Sequence, residues 1–354
     1  MNPPSPASHM LFVCRPEFSS SLVDEIEAHG INRAAIRIDC PGIVIVNDHK
    51  TTSLPTLIFE RMRTPGPKLI PLGKLKPVTP DTAMELFGNI VMDTPLWAPR
   101  LLTLEWDDAD EAVRHRLEGV WNALLREGRK IAPDIEKRQR ALQRLKPGGS
   151  LINLILSPQG LWHSRDIVQD ANIFEIRRSH RMKFDPLAPS RSYLKMEEAI
   201  DRLQRTPGAG EKVIDLGAAP GGWTYSFIRR GCDVIAVDHG PMKLPPHQTG
   251  WGNMTHIKEN GITFNAPPDW PTVDWLVADM LIAPGIAQGL LRRWMESGNA
   301  RTIVCNIKLP QEQPYIALKP ILEMLQQLTG YRSSVKQLYH DRREVTVMAE
   351  RVVP

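Results

Sequence analysis

Cysteine is scarce in this 354-residue chain: four in all, Cys14, Cys40, Cys232 and Cys305, far apart and with no C-x-x-C pair. That spacing argues against both a zinc site and a disulfide scaffold, and buried free thiols are expected. No run of 18 or more apolar residues occurs, so no membrane-spanning helix is expected. The start, Met1-Asn-Pro-Pro-Ser-Pro, has neither a basic stretch nor an apolar core of the signal-peptide kind. A soluble cytoplasmic protein is expected. Internal repeats and low-complexity segments are absent, and no clustered His/Cys/Asp/Glu spacing points to a metal. Excess charge is small: a net +4 and a pI of about 8.9 permit a nucleic-acid partner without requiring one.

What is present is an ordinary globular composition, 42% hydrophobic and 24% charged, in a chain long enough for two domains. Basic residues are concentrated. Arg126, Arg129, Lys130, Lys137, Arg138, Arg140, Arg144 and Lys146 are opposed only by Glu127, Asp134 and Glu136. A second cluster, Arg177, Arg178, Arg181, Lys183 and Arg191, is opposed only by Asp185. A solvated face explains the first as well as a nucleic-acid contact does, whereas the second leads straight into the region that carries the chemistry.

In chain order, Met10 to Val13 reads as a strand, Ser20 to His29 as a helix with a serine cap, and Ala34 to Asp39 and Gly42 to Val46 as a strand pair. Pro65, Pro67, Pro71, Pro77 and Pro80 follow, and positions 64–80 read as an internal linker. Helices are expected over Asp81 to Ile90 and over Asp110 to Glu127, whose Val113, Leu117, Val120, Trp121 and Leu124 share one stripe. Strands are expected at Leu101 to Glu105, Ser150 to Leu156 and Ile173 to Ile176. This mixed α+β region, residues 1–185, gives way over 186–354 to alternating strands and helices, the pattern of a doubly wound α/β sheet. Its elements read as a helix on Met196, Ala199, Ile200 and Leu203, strand Val213 to Leu216, helix Trp223 to Arg230, and strand Asp233 to Val237. Strand Asp274 to Ala278, helix Ile286 to Glu296, strand Thr302 to Ile307 and helix Tyr315 to Leu328 follow. Pro320 predicts a kink or a late start in that last helix, and a hairpin from Ser334 to Arg351 closes the region.

Val213-Ile-Asp-Leu-Gly-Ala-Ala-Pro-Gly-Gly-Trp223 reads as a strand breaking into a glycine loop that opens a helix. The loop lacks the G-x-G-x-x-G spacing of a dinucleotide site. With Asp238 ending the next strand, where an acid can accept ribose hydroxyls, the combination favours S-adenosylmethionine. Asp279 and Lys308 each close an apolar strand and so fall at the carboxyl edge of the sheet; Lys195 precedes the leading helix and Glu344 opens the final strand. Singly, each is an ordinary surface charge.

Ala188-Pro-Ser-Arg-Ser-Tyr-Leu-Lys-Met-Glu-Glu-Ala, Asp215-Leu-Gly-Ala-Ala-Pro-Gly-Gly-Trp-Thr-Tyr and Val237-Asp-His-Gly-Pro-Met carry a family likeness. So do Val277-Ala-Asp-Met, Asn306-Ile-Lys-Leu-Pro and Leu338-Tyr-His-Asp-Arg-Arg-Glu-Val-Thr-Val. Together they resemble the FtsJ-type RNA 2′-O-ribose methyltransferases, and among these the branch that methylates a cytidine ribose of 23S ribosomal RNA. The resemblance implies a Rossmann-like sheet binding S-adenosylmethionine behind an N-terminal THUMP-like RNA-binding domain. It makes Lys195, Asp279, Lys308 and Glu344 a catalytic tetrad, with Lys308 as base, Asp279 and Lys195 orienting, and Glu344 holding the lysines. It assigns cofactor contacts to Ser192, Ala219, Pro220, Gly221, Gly222, Asp238 and Asp279, and to Asn260 where the family usually places an acid. A monomer acting on ribosomal RNA, without metal or membrane, is expected. Two other readings share the cofactor loop: a small-molecule O-methyltransferase and a non-catalytic RNA-binding protein. Base methylation is disfavoured by Asp279-Met-Leu-Ile, which lacks the Pro-Pro-aromatic turn of such enzymes.

Overall fold

The computed structural model describes residues 9–71, 79, 81, 84, 97–103, 111–134, 148–157, 159–168, 182 and 184–352. The chain divides into two compact units, Met1–Arg181 and Met182–Pro354. In the first, β1 (Met10–Val13), β2 (Ile36–Cys40), β3 (Ile43–Val46) and β4 (Met62–Pro65) form an antiparallel sheet in the order β2-β3-β1-β4, accompanied by α1 (Ser19–Ala28). A second sheet, order β5-β8-β7-β6, is built from β5 (Lys68–Pro71), β6 (Trp97–Thr103), β7 (Ser150–Ser157) and β8 (Gly160–Ile167). Beside it α2 (Glu111–Ile131) buries Val120 and Leu124 of the expected stripe.

Two expectations are corrected here, and one strand is new. The proline-rich stretch is not a plain linker over its first part, because β4 and β5 are strands. Both lie at sheet edges, where a missing N–H costs no ladder hydrogen bond. The serine cap of α1 is absent: Phe18 occupies the cap position, and Ser19 Oγ instead accepts from Gly42 N at 2.8 Å, tying the helix to the Pro41-Gly42 turn. Strand β8 was not foreseen. Its Trp-His-Ser-Arg-Asp sequence shows no clean apolar alternation, yet Ser164 is buried with Thr64 and Asn153, and Asn153 Nδ2 donates to Thr64 Oγ1 at 2.9 Å. The helix expected at 81–90 falls outside the described residues except at Asp81 and Met84, and the strand at 173–176 falls wholly outside them. So do Lys137, Arg138, Arg140, Arg144, Lys146, Arg177, Arg178, Arg181 and Lys183.

The second unit is a seven-stranded Rossmann-like sheet. Its strands are β9 (Lys212–Leu216), β10 (Asp233–Val237), β11 (Met254–Ile257), β12 (Val273–Ala278), β13 (Ala300–Lys308), β14 (Tyr331–Lys336) and β15 (Glu344–Arg351). Helices α3 (Tyr193–Leu203), α4 (Gly222–Ile228), α5 (Pro284–Ser297) and α6 (Pro314–Gln327) accompany them. The order is β11-β10-β9-β12-β13-β15-β14, parallel from β11 through β13. The closing hairpin does not simply extend the parallel sheet: β15 inserts antiparallel between β13 and β14, which makes the sheet mixed. Strand order reverses between β9 and β12, and such a switch opens a crevice above the carboxyl ends of the strands. Beneath it Met196, Val213, Phe227, Trp275 and Val304 pack in one core cluster. Edge strand β11 escaped sequence reading because its Met-Thr-His-Ile is half-buried and short. Pro320 lies inside α6, which starts early rather than late, at Pro314, and the Pro320 carbonyl accepts from Gln288 Nε2 at 2.9 Å. All four cysteines are free and buried.

Candidate active site

The loop after β9 has the backbone its sequence demands. Gly221 caps α4 at φ +111°, a region closed to most side chains, and an added Cβ would press on Leu244 and Met242. At Gly222 a Cβ would collide with the hydroxyls of Ser190 and Ser192, so the glycine lets the segment before α3 lie against the loop. Ser192 is fixed there: its carbonyl accepts from Trp223 Nε1 at 3.0 Å and its hydroxyl meets Ser190 Oγ at 2.6 Å. Asp238 ends β10 beside the loop, and its carboxylate accepts from Ala219 N at 3.0 Å and Gly240 N at 2.7 Å. A carboxylate has about four acceptor positions, so this one retains capacity for ribose hydroxyls. Lys243 N donates to Pro220 O at 2.9 Å, which folds the segment carrying Met242 and Leu244 onto the loop.

Asn260 sits beyond β11. Its side-chain oxygen is engaged with Ile262 N at 2.9 Å, leaving the amide N–H groups to face outward. The adjoining Gly261 approaches Met280 and Leu216, which brings this loop to the ends of β9 and β12.

Asp215 does not line the crevice. It lies within β9, is 1% exposed, and accepts from Thr224 Oγ1 at 2.7 Å, fastening α4 to the sheet. Burial pushes its carboxyl up to about 7, against the opposing help of the Thr224 hydrogen bond. A carboxyl raised in the fold is penalised when it ionises, so the contribution of Asp215 to stability falls as pH rises from about 3.8 through about 7 and is level above. The expected result for Asp215→Asn is loss of that decline, on the order of 4 kcal/mol at most, in unfolding measured from pH 4 to 8. A variant with the wild-type slope would show that Asp215 is not its source.

Lys195, Asp279, Lys308 and Glu344 come together. Lys308 Nζ lies 2.8 Å from Asp279 Oδ1 and also pairs with Glu344 Oε2. Lys195 Nζ pairs with Glu344 Oε1 and stands 3.5 Å from Asp279 Oδ2. Each carboxylate therefore bridges both lysines. The architecture explains the meeting: Lys308 and Glu344 are direct cross-strand partners at the end of β13 and the start of β15, Asp279 follows β12, and Lys195, expected ahead of the leading helix, lies in the first turn of α3, which starts earlier than its apolar spacing suggested, at Tyr193. The Glu344 side chain is 6% exposed and that of Lys308 25%, which makes Lys308 the more accessible of the two. Burial favours a neutral Lys308, but Asp279 and Glu344 outweigh it and hold the ammonium above the ordinary lysine range. Burial also acts to raise Glu344, and Lys195 and Lys308 reverse the sign and hold its carboxylate low.

Sequence reading missed one support of this cluster and one of the segment that precedes α3. Asn306, 1% exposed, donates from Nδ2 to Asp279 Oδ1 at 3.1 Å, the oxygen that also accepts from Lys308. Its place two residues before Lys308 in a strand, hence on the same face, was the available signal. Asp185 accepts from Tyr225 Oη at 2.7 Å and pairs with Arg229 at 3.4 Å, while its backbone N–H donates to the Tyr193 hydroxyl. The Tyr225 hydrogen bond first, helped by Arg229, holds that carboxyl low. This clasp lays the segment from Asp185 to Ser192 along α4, from Arg229 at one end to Gly222 at the other. Among the described residues no group of side chains is arranged to hold a metal, and no helix is long and apolar enough to cross a membrane.

Residues 188–340 match the family described as FtsJ-like methyltransferase. Relatives of similar sequence carry the name ribosomal RNA large subunit methyltransferase M. That of Pasteurella multocida (strain Pm70) is 41% identical over 178 residues, covering 47% of this chain and 48% of its own. That of Actinobacillus pleuropneumoniae serotype 3 (strain JL03) is 42% identical over 180 residues, with 47% and 48% covered. In Marinomonas sp. (strain MWYL1) the figures are 40% over 178 residues, 47% and 49%. In these matches the chain spans about half the length of its curated relatives, and the matched family domain lies within the second unit, where it takes in the glycine loop, Lys195, Asp279 and Lys308 and ends before Glu344.

Proposed function

We propose that the protein transfers a methyl group from S-adenosylmethionine to the 2′-hydroxyl of a cytidine ribose in 23S ribosomal RNA. The observation that carries this reading is the convergence of two lysines and two carboxylates at the carboxyl edge of the sheet, beside the glycine loop. The cofactor fits the residues around the crevice. Gly221 and Gly222 keep the loop open to a close backbone approach, Asp238 retains acceptor positions for a ribose, and Ser192, Ala219, Pro220, Asn260 and Asp279 complete its surroundings. When bound, the cofactor supplies a sulfonium methyl, already a strong electrophile.

The remaining work falls to the chain: alignment of the hydroxyl, worth up to roughly 7 to 11 kcal/mol in well-oriented cases, and removal of its proton. Lys308 is the base, since it is the more exposed lysine of the cluster and stands at the strand end. Asp279 and Lys195 orient it and the hydroxyl, and Glu344 holds both ammonium groups in place. Lys308 accepts the hydroxyl proton only in its neutral form, which the two carboxylates make scarce near pH 7.

Residues 1–185 serve as a THUMP-like RNA-binding region, a reading supported by its attachment to this domain and by exposed cations such as Arg126 and Lys130 on α2. Ribosomal RNA as substrate accords with a soluble cytoplasmic enzyme.

Incubation of the full chain with labelled S-adenosylmethionine and unmodified 23S RNA, followed by digestion to nucleosides, is expected to yield labelled 2′-O-methylcytidine. Label on a catechol acceptor but not on RNA would mean a small-molecule enzyme. RNA binding with no transfer would mean a non-catalytic one.

A further inference from the structure

Leu281 is 90% exposed, the most exposed large apolar side chain among the described residues, and it lies two positions after Asp279. Single exposed leucines are common and need no explanation by themselves. This one is held outward. Its neighbour Met280 is tucked between Gly217 and Gly261, against the carboxyl ends of β9 and β12. Ile282 N donates back to Met280 O at 3.0 Å, which closes a tight turn, and Pro284 begins α5 at once. The turn is thus anchored on both sides, with the leucine at its tip.

Two further apolar side chains are exposed at the starts of the helices that follow β12 and β13. Ile286, 46% exposed, stands in the first turn of α5, and Ile316, 44% exposed, in the first turn of α6. Both helices start at the carboxyl edge of the sheet, and Gln288 bonded to the Pro320 carbonyl keeps them side by side. Across the cluster, Arg342 is exposed in the turn before Glu344, and Arg343 donates to Gln311 O at 3.3 Å beside β13. Along the sheet edge Leu281 follows β12 and the two arginines precede β15, with Lys308 at the end of β13 between them; an apolar group and guanidinium groups at one edge match a polynucleotide strand, which offers base faces and phosphates in alternation.

We propose that Leu281 is a wedge that packs against the nucleobase adjoining the methylated ribose. For a ribose 2′-hydroxyl to reach a partly buried lysine, its nucleotide must leave the stack, and the base beside it loses a stacking partner. An apolar side chain inserted at that step replaces the lost contact. This inference rests on the ribose-methylation reading above and adds a contact to RNA outside the tetrad and the cofactor loop.

The test is single-turnover methylation of in vitro transcribed 23S RNA at saturating labelled S-adenosylmethionine, by the full-length wild type, Leu281→Ser and Leu281→Phe. Leu281→Ser is expected to lower the apparent second-order rate constant for RNA methylation about tenfold, while Leu281→Phe, which offers a larger stacking face, keeps at least half the wild-type value. Cofactor affinity and Tm should stay unchanged in both, because the side chain contributes nothing to the core. Wild-type rates for Leu281→Ser, or equal losses in the two variants, would overturn the wedge and leave the ribose reading intact. A wild type unable to methylate the RNA would overturn both.

Discussion

Lys308→Arg is expected to lower methyl transfer by roughly two to four orders of magnitude while leaving S-adenosylmethionine binding as it was. Arginine keeps the positive charge between Asp279 and Glu344 and so preserves the ion pairs. Its guanidinium does not deprotonate in proteins, so it cannot accept the hydroxyl proton. The wild type should reveal the same dependence through pH. Because the two carboxylates raise Lys308 above the usual lysine range, the neutral base is a minor form throughout the neutral region and grows as protons become scarce. Single-turnover rates should therefore climb by nearly tenfold per pH unit between about 6.5 and 9, the behaviour of a base titrating well above the experiment. A flat profile, or near-normal turnover by Lys308→Arg, would take the base role away from Lys308.

Glu344→Ala should damage the unit strongly, at about 3 to 5 kcal/mol. It leaves two ammonium groups, Lys195 and Lys308, sharing the single carboxylate of Asp279 in a partly desolvated cluster. The pH dependence of this contribution has a definite sign. Glu344 titrates lower in the fold than its ordinary value of 4.5, so its stabilisation is complete above 4.5 and is lost as pH falls through the depressed value. Hydrogen exchange of the amides of β13 and β15 is the suitable measurement, since it isolates this part of the sheet. Faster exchange in Glu344→Ala at neutral pH, and loss of the difference from wild type at strongly acidic pH, are the expected results. Equal protection at neutral pH would mean that the cluster does not brace these strands.

Much of the second unit was legible because its central strands are continuous apolar runs. Asp233–Val237 and the tetrad's strand-end positions follow from where those runs stop. The hairpin was legible as a hairpin, but its insertion next to β13 was not, since nothing local in Glu344–Arg351 states which strand it will pair with. In the first unit, prolines at Pro65 and Pro71 suggested a linker because the rule against proline in strands is relaxed only at edges, and edge status is a property of the whole sheet. The partners of Asn306 and Asp185 lie 27 and 40 residues away in sequence, so strand periodicity could place Asn306 on the face of Lys308 but could name neither residue's partner.

The placement of β15 also fixes the order in which the site can come into being. Every other strand of the second unit precedes it in the chain, yet it occupies an interior position, between β13 and β14. While the chain is being made, β13 must wait with one edge unpaired, and Lys308 stands beside Asp279 without its cross-strand glutamate. An unpaired edge is prone to wrong pairings, and late, non-local strands slow folding. Delivery of Glu344 by the strand that fills this gap means that the edge is closed and the tetrad completed in one event, so that partly folded chains lack the finished charge cluster.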